Sequence, residues 1–260
     1  MDIIQSVVLG VVEGATEFLP ISSTFHLIFV SKFLGISQTD FTKLFEVFVQ
    51  SGAIFAVFLI YSGELLKDRE LLKKTLASFV PTAVVGLLLY KVIKNVFFNA
   101  DYLMLSMFVF VGLLFIAFEY LIKKDKIQLS KKVSALTYKQ ALIIGLIQAV
   151  AVIPGVSRAG SVLLGMMFFK FRRDEAVRYS FVLSIPTILA ASAYDLFKMR
   201  HVISGSGNNL MLLVVGFITA LISAYFVSKW LIRYLQSHTL IGFGIYRIVL
   251  AIIVLLSVMR

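Results

Sequence analysis

Residues 3–34 read IIQSVVLGVVEGATEFLPISSTFHLIFVSKFL, and this stretch decides the fold. Residues 3–19 carry a helical pattern, Pro20-Ile21-Ser22-Ser23 breaks it, and the pattern resumes from Thr24 to Leu34. Each half is too short to cross a hydrocarbon core, which takes about 20 apolar residues in a helix. Irregular backbone at bilayer depth is tolerated only where protein or a water-filled cavity satisfies its polar groups. The stretch therefore reads as a re-entrant helical hairpin over residues 3–36. A second hairpin is expected over residues 139–170, helical to 153, broken at Pro154-Gly155-Val156-Ser157 and helical again from Arg158 to Phe169.

The remainder agrees with a membrane setting. Of the 260 residues 60% are hydrophobic and 15% charged, too little charge to cover a soluble domain. Apolar stretches at 43–61, 78–94, 102–122, 175–197, 209–228 and 241–258 predict six spanning helices. They are continuous rather than alternating, so helices and not a barrel are implied. The formal net charge is +11. The basic residues lie mostly between apolar spans, so the charge reads as topology and not as a nucleic-acid surface. The absence of Cys excludes disulfides and thiol chemistry. The first apolar run lacks a basic segment ahead of it and carries Glu13 and Glu17, which argues against a cleaved signal peptide.

The two broken regions also align. Gly10 to Glu13 matches Gly145 to Gln148, and Pro20 and Ser23 match Pro154 and Ser157 after a one-residue gap. The expected fold is all-α and polytopic, a single membrane domain over residues 1–260. It comprises two inverted-topology repeats, 1–123 and 139–260, each a re-entrant hairpin plus three spans, joined by a cytoplasmic loop at 124–138. Lys67, Arg69, Lys73 and Lys74 share one side with Lys123, Lys124, Lys126, Lys131, Lys132 and Lys139, and with Lys170, Arg172, Arg173, Lys229 and Arg233. Lys32, Lys43, Lys91, Lys94, Lys198, Arg200 and Arg260 fall on the other. The positive-inside rule then sets both termini outside the cytoplasm. Binding sites in such architectures lie where the repeats meet.

The breaks carry the chemistry. Glu13 and Glu17 share a helix face about 6 Å apart. Two carboxylates that close in a dry site share a proton or a cation, and a hard ion such as Mg²⁺ or Ca²⁺ suits oxygen ligands. Ser22, Ser23 and Thr24 read as helix caps or, with His26 nearby, as a hydroxyl nucleophile beside an acid or base. In the second break Gly155, Ser157, Gly160 and Ser161 form a loop entering a helix N-terminus, which favours anions. Arg158 there adds a fork suited to phosphate oxygens, or else neutralises the glutamates. Glu46 and Gln50 form a second four-spaced pair that would line a secondary part of the cavity. Glu119 and Asp195, near span ends, are expected at the interface. Arg247 is expected to pair structurally with a buried carboxylate.

Glu13-Gly-Ala-Thr-Glu17-Phe-Leu-Pro20-Ile-Ser22-Ser23-Thr24-Phe-His26 resembles the first signature of the bacitracin-resistance family of undecaprenyl-diphosphate phosphatases, and Pro154 to Gly160 resembles the second. Phe45 to Ala53 and Tyr246-Arg247 are also similar to family segments. The resemblance implies hydrolysis of a polyprenyl diphosphate to the monophosphate carrier for cell-wall synthesis, with a divalent cation and a site open to the outer leaflet. By position it implies Glu13 and Glu17 as the acidic pair, Ser23 as nucleophile, His26 as acid or base, and Ser157 and Arg158 as pyrophosphate binders. A metal-bound water is the alternative nucleophile, the lipid tail is expected in a groove between spans, and a homodimer is possible. Phe25, Ala159 and Val162 depart from the family's usual Gly, Ser and Thr. An anionic-lipid flippase of the same fold is the rival reading, with no evident need for His26 or the glutamate pair.

Overall fold

The structure is a computed structural model and describes residues 1–95, 100–201 and 208–258. Arg260 and the side chain of Lys94, counted above on the less basic side, lie outside the described residues. The chain is helical. α1 (Ile3–Thr16) and α2 (Ser23–Phe33) are followed by α3 (Asp40–Lys67), α4 (Arg69–Leu88), the short α5 (Tyr90–Asn95) and α6 (Asp101–Lys123). Then come α7 (Tyr138–Ala149), α8 (Arg158–Phe168), α9 (Arg173–Lys198), α10 (Asn209–Ser237) and α11 (Ile241–Val258). Among the described residues five helices are long and apolar enough to cross a membrane: Asp40–Gly63, Arg69–Val92, Asp101–Lys123, Arg173–Lys198 and Asn209–Ser237. The predicted sixth span at 241–258 is helical over Ile241–Val258.

Helix ends differ from the apolar limits for local reasons. α4 begins nine residues before the predicted 78 because Asp68 caps it, accepting from the Leu71 N–H at 2.9 Å. Polar first turns extend a helix past its apolar stretch without lengthening the hydrophobic signal.

The helices pair across the halves. α1 packs on α10, α7 on α4, α3 on α9, and α6 on α11. Small residues permit this closeness. A Cβ on Gly10 would meet the Gly216 carbonyl at 2.7 Å, and one on Gly145 would collide with the Ser78 carbonyl.

Contacts also tie the ends of helices together. Tyr138, at the start of α7, donates to Glu70 at the start of α4 at 3.2 Å, and Lys131 pairs with Phe171 just past α8. Arg173 grips Glu119 with two donors, and the Leu240 N–H adds a third bond at 3.0 Å. Glu119, near the end of α6, is 2% exposed, because the starts of α9 and α11 cover it. Asp195 is likewise buried. At the opposite end of α6, Lys32 pairs with Asp101 at 2.5 Å, and Gln5 donates to the Leu34 carbonyl at 3.3 Å. The α1–α2 pair thus has both its ends near the start of α6, whereas α7 begins near the start of α4.

Candidate active site

Both breaks use the same backbone device. α1 ends at Thr16, and the Glu17 N–H still reaches the Glu13 carbonyl at 2.8 Å, so the two glutamates stay one turn apart. Ser22 then adopts φ +65° and ψ 93° immediately before α2. Ser157 adopts φ +75° and ψ 114° immediately before α8. Such values are uncommon for residues with a Cβ and cost on the order of 1–3 kcal/mol, held only when the surroundings impose them. They correct the sequence pairing of the breaks: by conformation Ser22 matches Ser157 and Ser23 matches Arg158. The extra residue between Pro154 and Ser157 shifts the register by one.

Ser23 and Arg158 therefore stand at the first positions of two half-helices, and both N-termini open on one cavity of about 180 Å³. Glu17, Ser22, Ser23 and Thr24 line it from the first break, and Gly155, Ser157 and Arg158 from the second. Glu17 joins the two sides. Its Oε2 accepts from Ser23 Oγ at 2.5 Å and its Oε1 from Arg158 Nη2 at 2.8 Å. Arg158 Nη1 donates to the Ser180 carbonyl at 3.2 Å, and Arg158 Nε is buried with no partner among the described residues. The guanidinium is thus fixed by two contacts and retains donor capacity toward an anion.

The remaining expected residues divide. Glu13 is fully buried behind Glu17, and among the described residues no donor reaches either of its oxygens. His26 does not line the cavity. Its Nδ1 lies 2.8 Å from the Ser22 carbonyl and its Nε2 lies 2.8 Å from the Tyr246 hydroxyl. A carbonyl only accepts, so Nδ1 carries the proton. Gly160 and Ser161 also stand off the cavity. The Gly160 N–H donates to Ser157 Oγ at 3.1 Å, and Ser161 Oγ turns back to the Arg158 carbonyl at 2.9 Å. Gln50 lines the cavity as expected, while Glu46 is not on its wall and is bonded to Ser31 at 3.2 Å and Gln38 at 3.1 Å. One helical turn separates these two residues, and Ser31 and Gln38 hold the Glu46 carboxylate.

Three polar wall residues escaped the sequence reading. Gln148 donates to Thr82 at 2.9 Å and Thr187 at 3.1 Å, and all three line the cavity. The signal for Gln148 was present, since the sequence pairs it with Glu13. Thr82 and Thr187 looked like ordinary span hydroxyls. Of the departures from the family pattern, Phe25 points away from the cavity and stacks on Phe108 at 3.8 Å between centroids. Ala159 and Val162 are buried and absent from the cavity wall.

Arg247 is fully buried, but its partners are not carboxylates. Nη1 donates to the Pro20 carbonyl at 3.0 Å, Nε to the Phe108 carbonyl at 2.8 Å, and Nη2 to the Gly155 carbonyl. Its charge also lies over the Phe108 ring at 4.4 Å. One side chain from α11 thus supplies donors to both breaks, where helix interruption leaves carbonyls that no backbone N–H reaches. Helix periodicity cannot show this, because carbonyl acceptors leave no trace in sequence.

A sequence profile described as "Bacitracin resistance protein BacA" matches residues 6–253. The undecaprenyl-diphosphatase of Persephonella marina is 43% identical over 259 residues, covering 100% of both chains. That of Sulfurihydrogenibium sp. is 44% identical over 254 residues, 97% of this chain and 98% of the relative. That of Aquifex aeolicus is 42% identical over 249 residues, 96% of each chain. With full-length matches at this identity, the chain belongs to the bacitracin resistance protein family.

Proposed function

We infer that this chain is a multi-pass membrane phosphatase that hydrolyses undecaprenyl diphosphate to undecaprenyl phosphate and inorganic phosphate. The activity renews the lipid carrier for peptidoglycan synthesis and confers bacitracin resistance. The family membership and the relatives' shared name support it. The observation that carries the site assignment is Glu17 bonded to Ser23 on one oxygen and Arg158 on the other.

On this reading the diphosphate enters between the breaks, against Arg158, the Ser157 loop and two helix N-termini. Ser23 Oγ attacks the terminal phosphorus and its proton passes to Glu17. The bond from phosphorus to the bridging oxygen breaks, and undecaprenyl phosphate leaves. Water then displaces phosphate from Ser23, Glu17 returns its proton to the serine oxygen, and the water's proton leaves with the products. Glu17 is favoured over His26 as acceptor because both His26 nitrogens are engaged elsewhere. Positioning and charge provide most of phosphoryl-transfer catalysis, and this site offers both.

Glu13 and Glu17 are the residues that would hold a divalent cation, Mg²⁺ or Ca²⁺. The donor set fits a hard ion: two buried carboxylates on adjacent turns, one with both oxygens unpartnered. Among the described residues no three His, Asp or Glu side chains cluster as metal ligands, so further ligands come from substrate and water. The ion, when bound, neutralises charge on the diphosphate.

The architecture belongs to the same reading: two re-entrant hairpins, α1–α2 and α7–α8, in inverted repeats entering from opposite faces. The swapped packing of α1 on α10 and α7 on α4 supports it. So do the hairpins' ends: those of α1 and α2 lie at the start of α6, and α7 begins at the start of α4. The basic end is then cytoplasmic and both termini and the cavity mouth extracytoplasmic. The test is phosphate release from undecaprenyl diphosphate by purified protein, with and without chelator, for wild type and Ser23→Ala. Chelator-sensitive release that Ser23→Ala abolishes is expected. Full activity in Ser23→Ala removes the serine nucleophile and leaves water as attacker.

A further inference from the structure

An apolar groove of about 570 Å³ runs beside the polar cavity. Its walls include Ala83 and Gly86 from α4 and Ala190 and Ala191 from α9, and Tyr90 and Tyr194 stand farther along it. Tyr90 and Tyr194 meet edge-on at 4.9 Å. The groove is continuous with the polar cavity, because Thr82, Val152, Thr187 and Ala191 line both. Along α4 the lining passes from Thr82, bonded to Gln148 in the polar cavity, to Gly86 one turn on. Leu87, also on the groove, is 58% exposed on the outer face of α4, a helix long and apolar enough to cross a membrane, so the groove opens sideways. A polar pocket continuous with a laterally open apolar channel matches a lipid diphosphate, whose head and tail need opposite surroundings at adjoining positions.

We propose that the α4–α9 groove seats the first isoprene units of the substrate's tail and that Gly86 keeps the channel wide enough for them. This rests on the diphosphatase reading above. The case for Gly86 is steric: a Cβ built there meets no atom within 4 Å, although the residue stands on the groove wall. The glycine therefore does not serve close helix packing, unlike Gly145, where a Cβ would collide with Ser78. Its missing side chain leaves space in the channel.

The test uses Gly86→Phe in the full-length purified protein, with Gly63→Phe as control. Gly63 also has nothing within 4 Å of a built Cβ and lies on α3 away from the groove. Tail contacts remote from the reacting phosphate act as uniform binding, so their loss raises KM and spares kcat. Gly86→Phe is expected to raise KM for undecaprenyl diphosphate about ten-fold or more with kcat within about two-fold, and Gly63→Phe to change neither. An unchanged KM, or a fall in kcat alone, overturns the proposal. As a second measurement independent of turnover, Gly86→Cys gives this cysteine-free chain a single thiol. Undecaprenyl diphosphate should protect it from a lipid-soluble maleimide, and inorganic diphosphate should not. Equal labelling with and without lipid in a protein that hydrolyses it overturns the groove assignment alone, whereas no phosphate release from wild type overturns the diphosphatase reading itself.

Discussion

The two breaks reach the same backbone turn by different means. Each sets a serine at positive φ just ahead of a half-helix. At the first, Ser22 makes no side-chain cap bond among the described residues, and His26 holds the Ser22 carbonyl instead. At the second, Ser157 caps its own helix through Gly160. The residues just beyond the turns carry opposite chemistry, a hydroxyl at Ser23 and a guanidinium at Arg158. The lesson is that the turn is the shared element: it aims whatever residue follows into the cavity, and the side chain there decides the role.

Arg247 ties the two breaks together, so its loss should have the largest effect. Arg247→Met strands the buried carbonyls of Pro20 and Gly155, each costing about 1–3 kcal/mol when unpaired, and removes a further donor from the Phe108 carbonyl inside α6. Thermal unfolding in detergent should show a destabilisation of about 3 kcal/mol or more, with activity falling alongside; wild-type stability would deny the tie. Next, Arg158→Lys keeps the charge and removes the fork that reaches both Glu17 and the Ser180 carbonyl. A loss of about 10²-fold in kcat/KM is expected in phosphate release. Full activity would mean that charge alone suffices.

A smaller effect is expected at His26. If it positions Ser22 and is not the base, His26→Ala should lower kcat about ten-fold and leave the pH profile unmoved, and His26→Asn, which retains a donor, should restore most of it. A lost titration limb would return His26 to acid–base duty. The smallest effect separates the turns directly. Ser157→Ala should cost about 1 kcal/mol in stability through the lost cap, and Ser22→Ala only a few tenths. Equal costs would mean that the two turns are held alike.

Much of this was legible in sequence, because its signals were local. Two prolines with adjacent hydroxyls inside apolar runs marked both breaks, and the four-residue spacing of Glu13 and Glu17 fixed their common face. What stayed illegible depended on tertiary partners. Nothing near Arg247 in sequence indicates that its partners are the carbonyls of Pro20, Phe108 and Gly155. His26 looked catalytic from its nearness to Ser23, yet both its ring nitrogens are taken by the Ser22 carbonyl and the Tyr246 hydroxyl, the latter 220 residues away in sequence. Thr82 and Thr187 entered the cavity wall through helix packing, which periodicity does not resolve. Phe25 departs from the family's usual Gly, and its stacking partner Phe108 lies too far off in sequence to be anticipated.

The central claim is that the breaks form one site through Glu17 and Arg158, and a double-mutant cycle on phosphate release measures this most directly. Glu17→Gln and Arg158→Gln should each lower kcat/KM by about 10²-fold or more, and the double variant should be little worse than the poorer single. Losses that multiply, so that the double variant falls by the product of the two, would contradict a joint site.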